Sequence, residues 1–329
     1  MDSETTSHCG VVVIGRNEGE RLKVCLASVL QVTRQVVYVD SASTDGSAGL
    51  ARSMALEVVD LDLSRPFTAA RARNEGSSRL LLRYPKVELI QFVDGDCEVQ
   101  PGWLEHAAEF LRLHPEVAVA CGRRRERFPH ASIFNAQCDR EWNTPIGDAK
   151  ACGGDAMMRR AAFEESEGFR SSLIAGEEPE LCLRLRAMGW KIWRLDREMT
   201  MHDAAIRRWG QWWSRARRTG YAYAEGAWLH GAPPERHWVS ETRRAVLWGV
   251  ALPLLVFGAA LFLSRFFIVM LLIYPLQVLR LSARSGDMRW NEVVQAMLLV
   301  LGKFPESHGI LKFWTGRLRA RPAAIIEYK

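Results

Sequence analysis

Cysteine is scarce in this sequence, and the positions form no recognisable pair. The 329-residue chain contains seven cysteines, scattered between positions 9 and 182, without a Cys-x-x-Cys motif. An odd number of scattered cysteines argues against a disulfide framework and against a cysteine-based zinc site. We therefore expect reduced thiols that are mostly buried.

The N-terminus lacks an apolar segment. Residues 1–8 are polar and acidic, so the sequence predicts no signal peptide there and a cytoplasmic N-terminal part. Internal repeats and low-complexity segments are also missing from the sequence. With 48% hydrophobic and 25% charged residues, the composition is globular and fits one large domain with an appendage, or two domains.

Motifs for nucleic-acid recognition are absent as well, although the net charge is +6. No helix-turn-helix pattern, zinc finger or aromatic RNA-binding signature accompanies the basic residues, so we predict no nucleic-acid partner. Arginines concentrate in residues 123–127, 207–218 and 236–244, close to tryptophans or just before an apolar run. This distribution favours an anionic membrane surface or phosphate ligands.

The apolar runs long enough for a membrane lie in the C-terminal part. Residues 245–263 carry no charge and residues 266–279 add a second run, which predicts a transmembrane helical hairpin. Arginines on both flanks place both ends on the cytoplasmic side by the positive-inside rule. Pro253 and Pro275 interrupt the two runs, so a re-entrant or shallow hairpin stays open as an alternative.

Residues 9–205 alternate short apolar runs with stretches of helical spacing. This alternation predicts βαβ units and an α/β fold with a largely parallel sheet. Between the first two runs, five apolar positions follow helical spacing, and Thr68 is placed to cap a later helix. The predicted strands are residues 11–14, 36–40, 58–61, 89–94, 117–121 and 190–195, with a further short segment at 199–203.

Carboxylates follow two of these predicted strands directly. Asp40 ends one strand, and Asp94-Gly95-Asp96 ends another. Ligands of open α/β sheets bind outside the carboxyl ends of the strands, so the Asp-Gly-Asp segment is placed to hold a divalent cation and a diphosphate. An ordinary Asp-Gly turn is the alternative.

Three further sets of residues are candidates for the same site. Arg71 and Arg73 either bind a phosphate or base or form a solvated helix face. Gly153-Gly154 allows close backbone approach to a ligand, and His202 is a candidate metal ligand because it follows the last predicted strand. Glu178 falls at or next to a helix N-cap, with Pro179 at the first helical position, where the helix dipole favours its ionised form. Acidic first turns are also common without any function.

Several motifs in this order resemble family 2 glycosyltransferases over roughly residues 9–205. The resemblance implies the GT-A fold, a Rossmann-like mixed sheet flanked by helices, together with a nucleotide-sugar donor, a divalent metal (Mg²⁺ or Mn²⁺) and inversion at the anomeric carbon. The motifs are Gly15-Arg16-Asn17-Glu18 after an apolar strand, the Asp40 to Ser47 turn, Phe92 to Asp96, Gly153-Gly154, and Gly176 to Leu181 with Arg184 to Arg186.

The resemblance also implies roles for the residues at matching positions. The donor would be bound by Arg16, Glu18, Asp40, Arg71 and Asp94, with Asp40 reading the base. Asp96 and His202 would hold the metal. Glu178 occupies the position of the catalytic base, but the family usually has Asp after Glu or Gly, so Glu177 stays open as the base. Gly153, Gly154 and Asp155 would position the acceptor.

Together these observations predict an inverting, metal-dependent glycosyltransferase of cell-envelope glycan, exopolysaccharide or glycolipid synthesis at the cytoplasmic face of the inner membrane. We expect a UDP-sugar donor, with a GDP-sugar possible, and a glycan or lipid-linked acceptor. A nucleotidyltransferase is one alternative, although no Gly-rich phosphate loop follows the first strand. A non-catalytic membrane-tethered sugar-binding protein is the other.

The sequence predicts four segments along the chain. We predict a catalytic GT-A domain over residues 1–205 and an amphipathic Trp- and Arg-rich interfacial segment over residues 206–244. A transmembrane or re-entrant hairpin follows over residues 245–282, and a basic cytoplasmic or interfacial tail over residues 283–329.

Overall fold

The computed structural model describes residues 7–62, 64–286 and 289–319. The chain divides into two compact units. Unit 1 comprises Met1–Pro129 and Cys138–Ala205, and unit 2 comprises His130–Gln137 and Ile206–Lys329. The last ten residues of the predicted basic tail, and most of the polar N-terminal segment, lie outside the described residues.

Nine strands form one mixed sheet in the described part of unit 1. Its order is β3-β2-β1-β4-β8-β6-β9-β5, and β7 pairs with β9. The strands are β1 (Cys9–Gly15), β2 (Val36–Asp40), β3 (Glu57–Asp60), β4 (Leu89–Asp94), β5 (Cys97–Val99), β6 (Val117–Glu126), β7 (Gly147–Asp148), β8 (Ala156–Arg159) and β9 (Lys191–His202).

Helices alternate with these strands, as the sequence spacing predicts. The amphipathic spacing after β1 and after β5 places apolar side chains against the sheet. The helices are α1 (Glu20–Leu30), α2 (Ser47–Ser53), α3 (Ala69–Arg83), α4 (Trp103–Leu113), α5 (Ile133–Glu141), α6 (Arg160–Glu165) and α7 (Glu177–Ala187). Of these, α5 begins in unit 2 and ends in unit 1.

The centre of the sheet is formed by β1 between β2 and β4, all parallel. Val11, Val12 and Val13 are fully buried, which explains why β1 is a continuous apolar run rather than an alternating one. Helix α3 packs so closely on this sheet at Gly76 that a Cβ there would overlap Val12. In the register of the sheet, Gly15 faces Asp40 and Ile14 faces Asp94, so their loops emerge at one edge.

Two strands are longer than the sequence pattern predicts. β6 continues past Cys121 through the arginines to Glu126, and β9 runs without a break from Lys191 to His202. The apolar run that predicted β6 ends at Cys121, whereas the strand continues through arginines whose side chains alternate between its two faces. β9 also carries a bulge, since Cys121 pairs with Arg194 but Arg123 pairs with Glu198.

The start of α7 also differs from the prediction. Its N-cap is Gly176, which has a left-handed φ of 81°, and the helix begins at Glu177. Pro179 therefore occupies the third helical position rather than the first. Glycine adopts this left-handed backbone conformation without strain, although it provides no side-chain cap for the helix. As a result, Glu177 and Glu178 both lie in the first turn of α7. Met188, at the end of the helix, is 46% exposed.

Unit 2 is helical in its described part. Its elements are α8 (Trp209–His230), α9 (Val239–Val246), a π-helical turn (Leu247–Ala251), α10 (Leu252–Phe262), a 3-10 segment (Arg265–Leu272), α11 (Ile273–Arg284), α12 (Trp290–Leu301) and α13 (Lys303–Leu318). Trp212 of α8 is buried and donates a hydrogen bond to Gln137 Oε1 at 2.9 Å, so this tryptophan belongs to the core of unit 2. Trp209, Trp213 and Trp228 are exposed.

Two helices of unit 2 are long and apolar enough to cross a membrane. Val239–Phe262 includes α9, the π-helical turn and α10, and Arg265–Arg284 includes the 3-10 segment and α11. The helices are 24 and 20 residues long. The second is therefore longer than its uncharged run suggests, because it extends to Arg284. Pro253 follows the π-helical turn, a common way to accommodate the missing backbone N–H.

Candidate active site

Asp94, at the end of β4, lies between two arginines. Arg73 Nη2 of α3 is 2.8 Å from Asp94 Oδ1, and Arg124 Nη2 of β6 is 3.0 Å from Asp94 Oδ2. Burial opposes ionisation of Asp94, but the two guanidinium groups outweigh it and hold the pKa of this carboxyl well below its usual range. Asp94 is therefore a permanent anion in a fixed position.

The same Arg73 also holds both glutamates at the start of α7. Its Nη1 lies 2.9 Å from Glu177 Oε1 and 3.0 Å from Glu178 Oε1. Glu177 is more deeply buried than Glu178, with side-chain exposures of 4% and 14%. Burial and the adjacent Glu177 raise the pKa of Glu178 to about 7, although Arg73 lowers it. A carboxylate with this pKa can accept a proton near neutral pH.

Asp155 lies beneath this cluster rather than at its surface. The side chain is fully buried. Its Oδ2 accepts hydrogen bonds from Arg124 Nε at 2.9 Å and from Thr200 Oγ1 at 2.6 Å, and its Oδ1 accepts one from Asp94 N at 3.0 Å. The carboxylate is thus engaged in fixing Arg124 and the end of β4. The side chain is not exposed to an acceptor in this structure, and the acceptor role expected of Asp155 stays a prediction.

Asp96 and His202 lie together behind the Asp-Gly-Asp turn. His202 Nε2, at the end of β9, is 3.3 Å from Asp96 Oδ2. Both side chains are buried, and Glu126 Oε2 lies 3.8 Å from the other ring nitrogen of His202. Burial lowers the pKa of His202, although Glu126 counteracts this, so the ring is neutral near pH 7 and has a lone pair to share.

The Cys97 thiol lies beside this pair, and ligand atoms of Asp96, Cys97 and His202 fall within 4.8 Å of one another. Burial raises the pKa of Cys97 well above its usual range, and nearby Asp155 adds to the effect. The thiol therefore stays protonated, and it points toward Asp96 Oδ1 at 3.6 Å. Asp96 and His202 are consequently the residues of this group that are suited to a divalent metal.

The predicted donor-binding residues line the loops at the same edge of the sheet. Asp40 Oδ1 accepts a hydrogen bond from Tyr38 Oη at 2.9 Å, and Asp40 Oδ2 accepts one from Ser43 N at 2.7 Å. Arg16 lies over the ring of Phe67, 4.4 Å from its centroid. Glu18 pairs with Arg21 at 2.8 Å. These contacts fix the side chains around an open end of β1 and β2.

Arg71 and Arg73 are both buried, so the solvated helix face is wrong for both. Thr68 caps the helix as expected, accepting a hydrogen bond from Arg71 N. The Arg71 guanidinium turns back to the preceding loop, where its Nη1 donates to the carbonyl oxygen of Arg65 at 2.9 Å. Arg73 turns to the carboxylates. Arg71 therefore contacts the loop before α3, whereas Arg73 contacts the carboxylates of the site. A donor contact through Arg71 stays a prediction.

Gly154 is required by the Arg73–Asp94 pair, whereas Gly153 is not. A Cβ at Gly154 would lie 2.5 Å from Arg73 Nη2 and 2.7 Å from Asp94 Oδ2, while a Cβ at Gly153 meets nothing within 4 Å. We expect Gly154→Ala to lose about 1–3 kcal/mol of stability because it forces the pair apart. Gly153→Ala is the matched control and should unfold within ~0.5 kcal/mol of the wild type in urea titration. Equal losses in both variants would contradict this packing.

Several residues of the site carried no usable signal in the sequence. Arg124 is one of a run of arginines, and only the extension of β6 shows that it alone turns toward Asp94 and Asp155. Trp142 packs edge-on against the His202 ring, with centroids 4.7 Å apart, although the two are distant in sequence. Asn17 belongs to the first sequence motif, but its contact with the second loop was not predicted. It has a φ of 56°, and its Oδ1 accepts a hydrogen bond from Thr44 N at 2.7 Å.

Comparison with known proteins agrees with this geometry. Residues 10–166 match the sequence profile of the family described as Glycosyl transferase family 2. No curated protein matches the chain in sequence. Among solved structures, the fold is similar to the mannosyltransferase PcManGT from Pyrobaculum calidifontis, solved with GDP-Man and Mn²⁺. That likeness has a TM-score of 0.60 and 20% identity, and covers 89% of this chain and 87% of that one.

Two further structures overlap more loosely. One is TarS of S. aureus, with a TM-score of 0.46, 14% identity, and coverage of 92% of this chain and 54% of that one. The other is GalNAc-T7 with UDP, GalNAc and Mn²⁺, with a TM-score of 0.48, 15% identity, and coverage of 71% and 54%.

The family match covers β1 to α6 and includes the Asp-Gly-Asp turn and the glycine pair. The nine-stranded mixed sheet flanked by helices is the GT-A architecture that the sequence motifs imply. Residues 10–166 of the chain therefore belong to the family 2 glycosyltransferases.

Proposed function

We propose that the protein is an inverting, metal-dependent glycosyltransferase that moves a sugar from a nucleoside diphosphate sugar to an acceptor hydroxyl. The observation that carries this proposal is the position of Glu178. It is a carboxylate with a pKa raised to about 7, joined through Arg73 to the acid at the end of β4. The arrangement offers one base for an acceptor and one fixed anion beside the predicted metal ligands.

The residues of the chain support direct displacement. Glu178 takes the proton of the acceptor hydroxyl while that oxygen attacks the anomeric carbon from the face opposite the departing diphosphate. Arg73 holds Glu178 in place by its 3.0 Å contact and keeps enough positive charge nearby for the glutamate to ionise. Glu177 is buried more deeply and pairs with the same guanidinium nitrogen, so it serves to orient Arg73.

The pair Asp96 and His202 fits a divalent cation by its donor atoms, a carboxylate oxygen and a neutral imidazole nitrogen 3.3 Å apart. Imidazole and carboxylate together suit Mn²⁺ as well as Mg²⁺. Such a metal would supply positive charge to offset the negative charge that develops on the leaving diphosphate. Glu126 lies near Nδ1 of the imidazole and Trp142 packs against its ring, so both residues orient His202 before any metal binds.

Asp96→Asn should weaken Mn²⁺ binding by more than about 10-fold, because it removes the charged oxygen of the pair. Isothermal titration of the full chain in detergent measures this directly. Glu109→Gln is the matched control, since Glu109 is an exposed acid that pairs with Arg112. Unchanged Mn²⁺ affinity in Asp96→Asn, or full transferase activity in excess EDTA, would contradict the metal assignment.

The donor and the reaction class can be identified in one assay. The sequence favours a UDP-sugar, whereas the bound ligand of the mannosyltransferase neighbour, GDP-Man, supports a GDP-sugar. A panel of both kinds is incubated with the full chain and Mn²⁺, and the released nucleotide is separated. Release of nucleoside diphosphate is expected. Release of pyrophosphate instead would indicate a nucleotidyltransferase, and no release from any donor would contradict the enzymatic proposal.

We also infer that unit 2 attaches the protein to a membrane, at its cytoplasmic face, where the acceptor is a glycan or lipid-linked sugar of envelope, exopolysaccharide or glycolipid synthesis. The two long helices leave large apolar side chains exposed. Only 11% and 6% of the most apolar 18-residue stretch of each helix is buried within the protein. Leu261, Phe262 and Phe266 at the turn are 77%, 82% and 80% exposed. A 20-residue helix matches the thickness of a bilayer core, about 30 Å.

Membrane attachment predicts that the full chain sediments with membranes after lysis and dissolves only with detergent. The stronger test is a charge placed in the exposed apolar surface. We expect Leu255→Arg, at a side chain 69% exposed, to weaken insertion because a central arginine costs about 2.5–3.5 kcal/mol. Leu82→Arg on α3, 74% exposed, is the matched control. A wild-type chain found wholly in the detergent-free supernatant would contradict attachment.

A further inference from the structure

A second pocket opens on the face of β6 that lies away from Asp94. Arg124 turns toward the active site, whereas Arg123 and Arg125, its neighbours on the strand, turn to the opposite face. This pocket has a volume of about 890 Å³, within the range typical of small-molecule sites. All of its lining residues belong to unit 1.

The bulge of β9 forms one wall of the pocket. Between the pairs Cys121–Arg194 and Arg123–Glu198, three residues of β9 stand opposite a single residue of β6, so the chain around Asp196 and Arg197 is displaced outward. Gly122 permits this displacement, because a Cβ there would lie 2.8 Å from the Arg197 carbonyl oxygen. Both Asp196 and Arg197 line the pocket and are exposed. Neither makes an ion pair with any other described residue.

Arg194, where the bulge begins, is the strongest indication of a ligand. Its side chain lines the pocket although the residue is only 3% exposed. One guanidinium nitrogen donates to the Leu195 carbonyl oxygen, but Nε is buried without a hydrogen-bond acceptor among residues 7–62, 64–286 and 289–319. The guanidinium also has no carboxylate partner among the described residues, so an anion in the pocket would offset the cost of burying its charge.

The other arginines of the pocket are partly neutralised. Arg123 pairs with Asp139 at 3.1 Å, and Arg125 lies 3.4 Å from Glu198. The positive charge left for a ligand therefore comes from Arg194 and Arg197. An acid, an amide and a hydroxyl, on Asp196, Asn143 and Thr144, line the same pocket as these two arginines. Such groups bind the hydroxyls of a sugar, and the Asp196 carboxylate would disfavour a bare anion.

We propose that this pocket binds an acidic carbohydrate, a sugar that carries a carboxylate or a phosphate. The anionic group is held by Arg194 and Arg197, and the sugar hydroxyls contact Asp196 and Asn143. This site is distinct from the donor and metal residues. It is physically connected to them, because the wall formed by residues 143–146 directly follows Trp142, which packs on His202 and lies 5.5 Å from the Arg124 guanidinium.

Titration calorimetry of the full chain in detergent with EDTA tests this proposal without requiring turnover. The probes are glucuronate and glucose 6-phosphate, with glucose and inorganic phosphate for comparison. We expect saturable binding of at least one acidic sugar. Glucose must bind more weakly, since it lacks the anionic group, and inorganic phosphate must bind more weakly, since it lacks the sugar. Equal affinity for either comparison probe would overturn the proposal, and so would the absence of saturable binding of both acidic sugars.

Variants and hydrogen exchange then locate the site. Arg197→Glu, at an exposed position, should raise the Kd of the acidic sugar by about 10-fold or more, the scale of a lost charge-assisted hydrogen bond. Arg194→Gln should do the same. Arg112→Glu on α4 is the matched control for added negative charge and should leave the Kd unchanged. The ligand should also protect amides at residues 143–146 and 194–198. Unchanged affinity in Arg197→Glu together with no protection there would overturn the location.

Discussion

Replacing Glu178 by glutamine should lower kcat by about 10²-fold or more, which is the scale of losing a general base. Glutamine keeps the shape and a hydrogen bond to Arg73 but accepts no proton. Donor affinity should change little, because Asp94, Asp96 and His202 are untouched. Stopped assays of nucleoside diphosphate release at saturating donor and acceptor measure the effect. Glu177→Gln is the matched control, and a larger loss there would move the base one residue upstream.

The raised pKa of Glu178 gives this prediction a second readout. Because the base must be ionised, kcat/KM should rise about tenfold per pH unit below about pH 7 and level off above it. The free energy of unfolding should change with pH in the opposite direction. A carboxyl whose pKa is raised in the folded state loses stability as pH rises from its unfolded value of 4.5 through about 7. Glu178→Gln should therefore melt above the wild type at pH 8, and a lower melting temperature there would contradict the burial argument.

Replacing Arg73 by methionine should cost about 3–5 kcal/mol of unfolding free energy, because it leaves three carboxylates without their shared partner. Asp94 would keep Arg124, but Glu177 and Glu178 would face each other alone. The pKa of Glu178 should rise further, which moves the activity profile to higher pH. Urea unfolding of the full chain in detergent gives the stability change, and the pH profile of residual activity gives the shift.

Arg79→Met is the matched control for this experiment. Arg79 lies on the same helix and pairs with Glu57, but its side chain is 45% exposed. An exposed ion pair contributes about 0–1 kcal/mol, so this variant should unfold almost like the wild type. A similar loss of stability in both variants would mean that α3 tolerates no methionine, rather than that Arg73 joins the carboxylates.

The sequence was sufficient for the parts of the fold that follow local rules. The apolar runs of β1, β2 and β4 need two buried faces, and the Thr68 cap needs only its own helix. The acids at the strand ends were predictable because parallel strands deliver their loops to one edge. The seven cysteines are all free and buried, as their spacing implied.

The parts that failed depend on contacts distant in sequence. Arg73 was open between a ligand contact and a solvated face, and only its neighbours Asp94 and Glu177, 21 and 104 residues away, decide between them. Asp155 follows the glycine pair, and its position in the sequence did not predict its hydrogen bonds to Arg124 of β6 and Thr200 of β9. No local pattern carries that information, because burial here results from tertiary packing.

The burial of every cysteine has a practical consequence. The relative exposures of Cys9, Cys25, Cys97, Cys121, Cys138, Cys152 and Cys182 are all between 0% and 9%. A thiol reagent such as a maleimide should therefore react slowly with the native chain, and each native thiol becomes labelled only when its surroundings open. The labelling rates of Cys97 and Cys152, which flank the active-site cluster, would then measure how often that cluster opens. A single cysteine added at the exposed Leu82 position would be modified at once, providing a selective attachment point for a fluorophore.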